Sequence, residues 1–295
     1  MKVLNYGSLN VDYVYSVDHI IVGGETQHSS KLEVFSGGKG LNQSIALAKA
    51  GVPVYHAGIV GTDGDILLEA CKEAGVNTKY IRRLPVKGGH TMIQVDKNAQ
   101  NCIILYGGTN QMQTKEFVDE VLADFGEGDY LILQNEINML DYIIDQAYEK
   151  KMKIVMNPSP FDDKLSTCDL SKVYLFLVNE IEGEQITGCK DKDQILDAMA
   201  AKFPNARFVL TLGSDGAVYY DGKEKVFQDI FKVKAVDTTA ADTFTGYFIA
   251  AVIEGRSIQE ALRMAAKASS IAVSRPGATP SIPRADEVKK ELGML

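Results

Sequence analysis

Short apolar runs alternate along this chain with longer amphipathic segments. The runs occupy residues 54–59, 130–133, 154–156, 175–178 and 208–212, and helical patterns lie between them at 42–50, 65–74, 115–124, 139–150 and 193–203. Strand-like runs that alternate with helices predict an α/β fold: three layers, a mostly parallel sheet with helices on both faces. Ligands of such folds sit outside the carboxyl ends of the strands. Two stretches break the alternation. Residues 12–34 are strand-like, with partial period-two patterning at Tyr13-Val14-Tyr15-Ser16-Val17 and Lys31-Leu32-Glu33-Val34. Residues 90–106 read as a hairpin, with apolar strands at 91–95 and 102–106 around a polar turn. They either extend an edge of the main sheet or form a small β-sheet lid over its ligand end. The expectation is a single domain, 1–295, with a lid formed by inserted segments 12–34 and 90–106.

The chain has 295 residues, enough to bury a sizeable core. Its net charge is −8 and its pI about 5.1, which argues against a nucleic-acid-binding surface. Cys71, Cys102, Cys168 and Cys189 form no C-x-x-C pair, and their spacing suits neither zinc nor a small disulfide scaffold. Free thiols in a cytoplasmic protein are the simple reading. The N-terminus lacks an apolar signal core and resembles a first strand. No apolar run reaches the ~18 residues of a membrane span.

The chemistry concentrates after strands. Val236-Asp237-Thr238-Thr239-Ala240-Ala241-Asp242-Thr243-Phe244-Thr245-Gly246 places a carboxylate at the mouth of a helix that continues to a stop at Gly255. Helix N-termini gather unpaired N–H groups and bind anions such as phosphate. Asp242 there is either a helix-stabilising residue or a base for a hydroxyl attacking that phosphate. Ser36-Gly37-Gly38-Lys39-Gly40-Leu41-Asn42-Gln43 opens the helix expected from Asn42. It is either a tight turn or a loop that lets a polyhydroxyl ligand approach the backbone. It is neither a Walker A loop nor a dinucleotide fingerprint, so a dinucleotide-dependent oxidoreductase has little support.

Asn10 and Asp12 lie two apart and share one side of an extended chain, while Glu136 follows another strand. Asn179 and Glu182 lie three apart, as a helix-capping box or as groups that orient waters around magnesium. Thr211-Leu212-Gly213-Ser214-Asp215-Gly216 either reverses the chain or contacts nucleotide phosphates. Residues 274–281 form a stiff loop whose carbonyls can ring a monovalent cation.

The order of these segments resembles the ribokinase-like (phosphofructokinase-B-type) carbohydrate kinase family, from Tyr6 to Pro283. Gly37-Gly38-Lys39-Gly40-Leu41-Asn42-Gln43 resembles its N-terminal signature and Asp237-Thr238-Thr239-Ala240-Ala241-Asp242-Thr243-Phe244 its C-terminal one. The resemblance implies an ATP-dependent kinase acting on a primary hydroxyl of a small sugar, foremost ribose at O5. Fructose, a sugar acid or a nucleoside are alternative acceptors. It implies Asp242 as base, N–H groups of Ala240, Ala241 and Asp242 as anion hole, and Asn10, Asp12, Gly37, Gly38, Lys39, Asn42 and Glu136 about the sugar. Asn179, Thr211, Gly213 and Gly216 would serve the nucleotide. Asn179 and Glu182 would organise Mg2+ through water. Asp237, Thr239, Ser274, Gly277 and Ser281 would hold a potassium-like cation, K+. A homodimer through the lid is expected, since exposed strand edges favour pairing.

One departure stands out. The family pattern places a glycine immediately before the aspartate, as in D-T-T-A-A-G-D, whereas here Ala241 joins Asp242 directly. Loss of one residue at a helix start is expected to rotate the rest of the helix by ~100°. The consequences are an impaired kinase, a catalytically silent sugar-binding relative, or a glycine that the molecule carries and the written sequence omits. A backbone break beside Asp242 would mark the last of these.

Overall fold

The computed structural model describes residues 1–98, 100–234 and 240–294. The chain opens with β1 (Val3–Tyr6), β2 (Asn10–Ser16) and β3 (Lys31–Gly37), then α1 (Lys39–Lys49), β4 (Tyr55–Val60), α2 (Asp65–Ala74) and β5 (Asn77–Arg83). β6 (Gly89–Val95) and β7 (Asn101–Tyr106) follow, then α3 (Lys115–Leu122), β8 (Tyr130–Gln134), α4 (Leu140–Glu149) and β9 (Lys153–Asn157). Next come β10 (Leu175–Asn179), α5 (Glu180–Thr187), α6 (Lys192–Lys202), β11 (Arg207–Thr211), β12 (Ala217–Tyr220) and β13 (Lys225–Gln228). α7 (Ala240–Ile253), α8 (Ile258–Val273), α9 (Ala278–Ser281) and α10 (Ala285–Glu291) complete the fold.

Nine strands form the main sheet in the order β13-β12-β11-β10-β9-β8-β1-β4-β5. Its pairs from β5 through β11 are parallel, and only β11–β12 and β12–β13 are antiparallel. Successive residues of a strand face opposite sides, and the packing follows that rule. Tyr130 and Ile132 enter a core with α1, α2, α7, α8 and α10, whereas Leu131 and Leu133 enter a second core with α3 to α6. Two apolar faces on one sheet are why the central strands read as continuous apolar runs. Helices therefore cover both faces, as expected.

The remaining strands form a separate four-stranded sheet, β3-β2-β6-β7. β2 pairs antiparallel with β3 and parallel with β6, and β6 pairs antiparallel with β7. The strand-like stretch at 12–34 is thus two strands with a connection between them, and the sheet reaches back to Asn10. The 274–281 stretch is not loop throughout, since α9 occupies its second half. α1 also begins earlier than the pattern predicted. The backbone turns at Gly38 (φ 93°), and helix starts at once from Lys39, which places Asn42 and Gln43 within the helix rather than at its mouth.

Candidate functional site

Parallel strands deliver their carboxyl ends to one edge, and the polar residues converge there. Ser8 follows β1, Glu136 follows β8, Asn179 ends β10 and Thr211 ends β11, while α1 and α7 begin at the same edge. The Ser8 hydroxyl donates to Glu136 Oε2, which also accepts the Lys39 backbone N–H at 3.0 Å. Burial raises the Glu136 carboxyl above its usual range, against the opposing field of Lys39. Burial works the other way on Lys39, but the fields of Asp242, Glu136 and Glu182 together outweigh it and raise the ammonium. Lys39 therefore stays charged amid three carboxylates.

Asp242 lies in the first turn of α7 and is 8% exposed. Its Oδ2 accepts from Asn42 Nδ2 at 3.1 Å and its Oδ1 from Gln43 Nε2 at 2.9 Å. The backbone is helical without a break through Ala240, Ala241 and Asp242, so no chain break marks a missing residue there. Gly246, one turn beyond Asp242, packs so closely on Ala46 and the Leu47 backbone that any side chain would clash. That contact fixes which face α7 turns to α1, and Asp242 stands opposite Asn42 and Gln43. Asp237 and Thr239 lie outside the described residues.

Of the expected sugar residues, Asn10 and Asp12 sit on β2 of the small sheet. Asn10 is buried, and its Oδ1 accepts from Asn110 Nδ2 at 2.7 Å. Asp12 Oδ1 accepts from the Thr91 hydroxyl at 2.6 Å, and its other oxygen lies where a side chain on Gly37 would stand. Burial is the chief cause that raises Asp12 to about 6, opposed by the Thr91 bond and reinforced by the Glu136 charge. Asn42 Oδ1 is buried without a hydrogen-bond partner, an acceptor suited to a hydroxyl donor. Ligand hydroxyls that bind ionised Asp12 compete with its protonation. Affinity for such a ligand should therefore fall as pH drops through about 6, and Asp12→Asn should flatten that dependence in calorimetry.

Lys39, Asn157, Asn179, Glu182, Thr211 and Ala241 line a cavity beside this cluster. Asn179 and Glu182 form a reciprocal capping box: Glu182 N–H donates to Asn179 Oδ1 at 2.8 Å and Asn179 N–H to Glu182 Oε2 at 3.1 Å. Their side chains are thus spoken for locally while Glu182 still faces the cavity. Gly213 and Gly216 do not line it. Gly216 (φ 98°) reverses the chain between β11 and β12, where a side chain would strike the Gln228 carbonyl. Ser274 and Ser281 donate to the carbonyls of Ile271 and Ala278. Gly277 is the positive-φ residue (φ 85°) before α9. Among the described residues no group of three or more His, Cys, Asp or Glu is placed to hold a metal ion. A magnesium ion that keeps most of its water shell needs no such cage, and Glu182 fits that manner of binding.

Sequence reasoning gave no role to Ser8, Gln43, Thr91, Asn110 or Gln134. For Gln43 a signal existed: Asn42-Gln43-Ser44 is a polar triplet inside the apolar helix Leu41 to Leu47, and all three are buried. Asn110 carried none, because its partner Asn10 is 100 residues away.

The family model for pfkB family carbohydrate kinases matches residues 1–285. A ribokinase of Haemophilus influenzae is 33% identical, with 95% of each chain covered. Among solved structures, Arabidopsis thaliana ribokinase complexed with ribose and ATP is 29% identical at a TM-score of 0.86, covering 99% of this chain and 98% of that one. Ribokinase of Thermotoga maritima is 32% identical at a TM-score of 0.87, with 99% of both chains covered.

Proposed function

The chain belongs to the pfkB family of carbohydrate kinases, and from that premise we propose that it transfers the γ-phosphate of ATP to the O5 hydroxyl of ribose. One observation carries the reading: a buried carboxylate, Asp242, stands at the start of α7 with both oxygens held by amides of α1. The ribose- and ATP-bound Arabidopsis relative supports the choice of substrates.

In this reading Asn10, Asp12, Asn42 and Glu136, with the Gly37–Gly38 backbone and Lys39, bind the sugar hydroxyls and leave O5 beside Asp242. Asp242 takes the O5 proton as the O5–phosphorus bond forms and the bond to the ADP oxygen breaks. N–H groups of Ala240, Ala241 and Asp242 face the transferring phosphoryl group, where developing charge is best stabilised by preorganised donors. Lys39 lies within reach of the same field. Thr211 lines the nucleotide side, with Gly213 and Gly216 shaping the adjoining turn. Asn179 and Glu182 would hold Mg2+ through water, which offsets phosphate charge when bound. Ser274, Gly277 and Ser281, with Asp237 and Thr239, would hold K+. The second sheet serves as a lid that keeps water, a competing nucleophile, from the phosphoryl group.

An ADP-release assay across a sugar panel, with and without potassium, tests the reading. Turnover should be greatest with ribose. Binding of sugars without turnover of any would instead establish a silent sugar-binding protein, a reading favoured by the missing glycine before Asp242.

A cytoplasmic homodimer completes the proposal. Every residue of β7 is exposed, including Ile103, Ile104, Leu105 and Tyr106, and Ile104 is 62% exposed. An apolar edge strand of this kind invites pairing. Sedimentation at micromolar concentration should give a dimer that Ile104→Lys converts to monomer. A monomeric wild type would contradict the arrangement.

A further inference from the structure

We infer that Gln43, and through it Gln134, are positioning residues that fix the orientation of the Asp242 carboxylate. The inference rests on the reading of Asp242 as the base. An ionised carboxylate only accepts hydrogen bonds, so Gln43 can meet it only with Nε2, at 2.9 Å from Oδ1. Gln43 must then present Oε1 to the other side, where Gln134 Nε2 donates to it at 2.7 Å. The same Gln134 nitrogen donates to Asn5 Oδ1 at 3.0 Å, and Asn5 Nδ2 donates to the Gly40 carbonyl at 2.8 Å. Each amide in this relay has one orientation that satisfies both neighbours. Asn5, Gln43 and Gln134 are all fully buried, so a flipped amide would leave polar atoms unpaired without water to replace the bond.

The relay runs from β1 and β8 through α1 to the first turn of α7. None of it passes through the shortened segment before Asp242. The base is therefore aligned from behind, by strands and a helix, rather than by the chain that leads into it. The orientation of the carboxylate is thus set by groups outside the preceding motif, which is one residue short.

Gln43→Leu removes the donor and keeps a similar side-chain size. It should lower kcat by about 10²-fold, the scale of a misplaced catalytic group, with sugar KM nearly unchanged. Gln134 does not touch Asp242, which makes its variants the sharper test. Gln134→Glu, once ionised at high pH, has no proton to offer, so Gln43 should turn its own Nε2 toward β8 and its carbonyl toward Asp242, and kcat there should fall as in Gln43→Leu. Gln134→Met accepts nothing from Gln43, which leaves Gln43 donating to Asp242, and kcat should fall much less.

Kinetics are read on variants whose sugar binding by calorimetry matches the wild type. Gln43→Leu with wild-type kcat, or Gln134→Met as damaging as Gln134→Glu, would overturn the relay. Should the wild type phosphorylate no sugar, the kinase reading fails first. The relay is then decided by the crystal structure of Gln43→Leu: a reoriented Asp242 carboxylate supports it, and an unmoved one overturns it.

Discussion

Asp242→Asn should abolish sugar phosphorylation while sugar binding persists. The substitution keeps shape and removes the proton acceptor. General-base help contributes about 10²–10⁴-fold, so the loss should fall in that range or beyond it. The structure adds a second reason for the upper end. Both oxygens of Asp242 accept from amide nitrogens, Asn42 Nδ2 and Gln43 Nε2. An asparagine there must point its own NH2 at one of those donors: toward Gln43, whose Oε1 is held by Gln134, the bond is lost, and toward Asn42 it survives only if that amide flips its unpartnered Oδ1 away from the sugar. The measurement is single-turnover ADP formation beside calorimetric titration with ribose. Substantial residual turnover would remove Asp242 from the base role, and loss of sugar binding would show that the variant had disturbed the pocket.

Insertion of a glycine between Ala241 and Asp242 should raise kcat, by up to about 10²-fold, with little change in sugar KM. The size reflects the worth of a single well-aimed N–H donor in an anion hole, about 10²–10³-fold. The site of the effect is set by packing. Gly246 against Ala46 holds α7 in register with α1, and Gln43 holds the carboxylate, so the added residue lengthens the approach to the helix and leaves Asp242 in place. An intact-mass measurement on the purified wild type first establishes that the chain lacks the glycine. An unchanged or lower kcat after insertion would mean that the short motif already forms a competent anion hole.

The contrast between what the chain's pattern reveals and what it hides has a physical origin. The central strands were legible because they bury both faces and so read as unbroken apolar runs, as in Leu131 to Leu133. The β6–β7 hairpin was legible because its pairing is local. Asp242, Asn42 and Glu136 were marked by resemblance to known signatures. The start of α1 was misplaced by one turn because Gly38-Lys39-Gly40 looks like loop, and its helical form depends on Glu136 accepting the Lys39 N–H and on Ser8 receiving Gly40. Gln134 and Gln43 were silent for a similar reason. They are 91 residues apart in sequence, and only the adjacency of β8 and α1 makes them neighbours. The face that α7 turns to α1 was not legible either, because it is set by the close packing of Gly246 on Ala46 and the Leu47 backbone.

The short link Gly7-Ser8-Leu9 joins β1 of the main sheet to β2 of the small one. Asn10 and Asp12 lie on the small sheet, whereas Asn42, Glu136 and Asp242 belong to the large body. In the proposed binding mode one sugar molecule grips both at once and acts as a tie rod across that link. If the small sheet closes as the proposed lid, closure would depend on the acceptor rather than on the nucleotide, and sugar-before-ATP would be the natural kinetic order. A chamber that shuts only around its acceptor would complete the site for phosphoryl transfer only when there is something to phosphorylate. Thrift in ATP use would thus be a by-product of where two strands happen to meet.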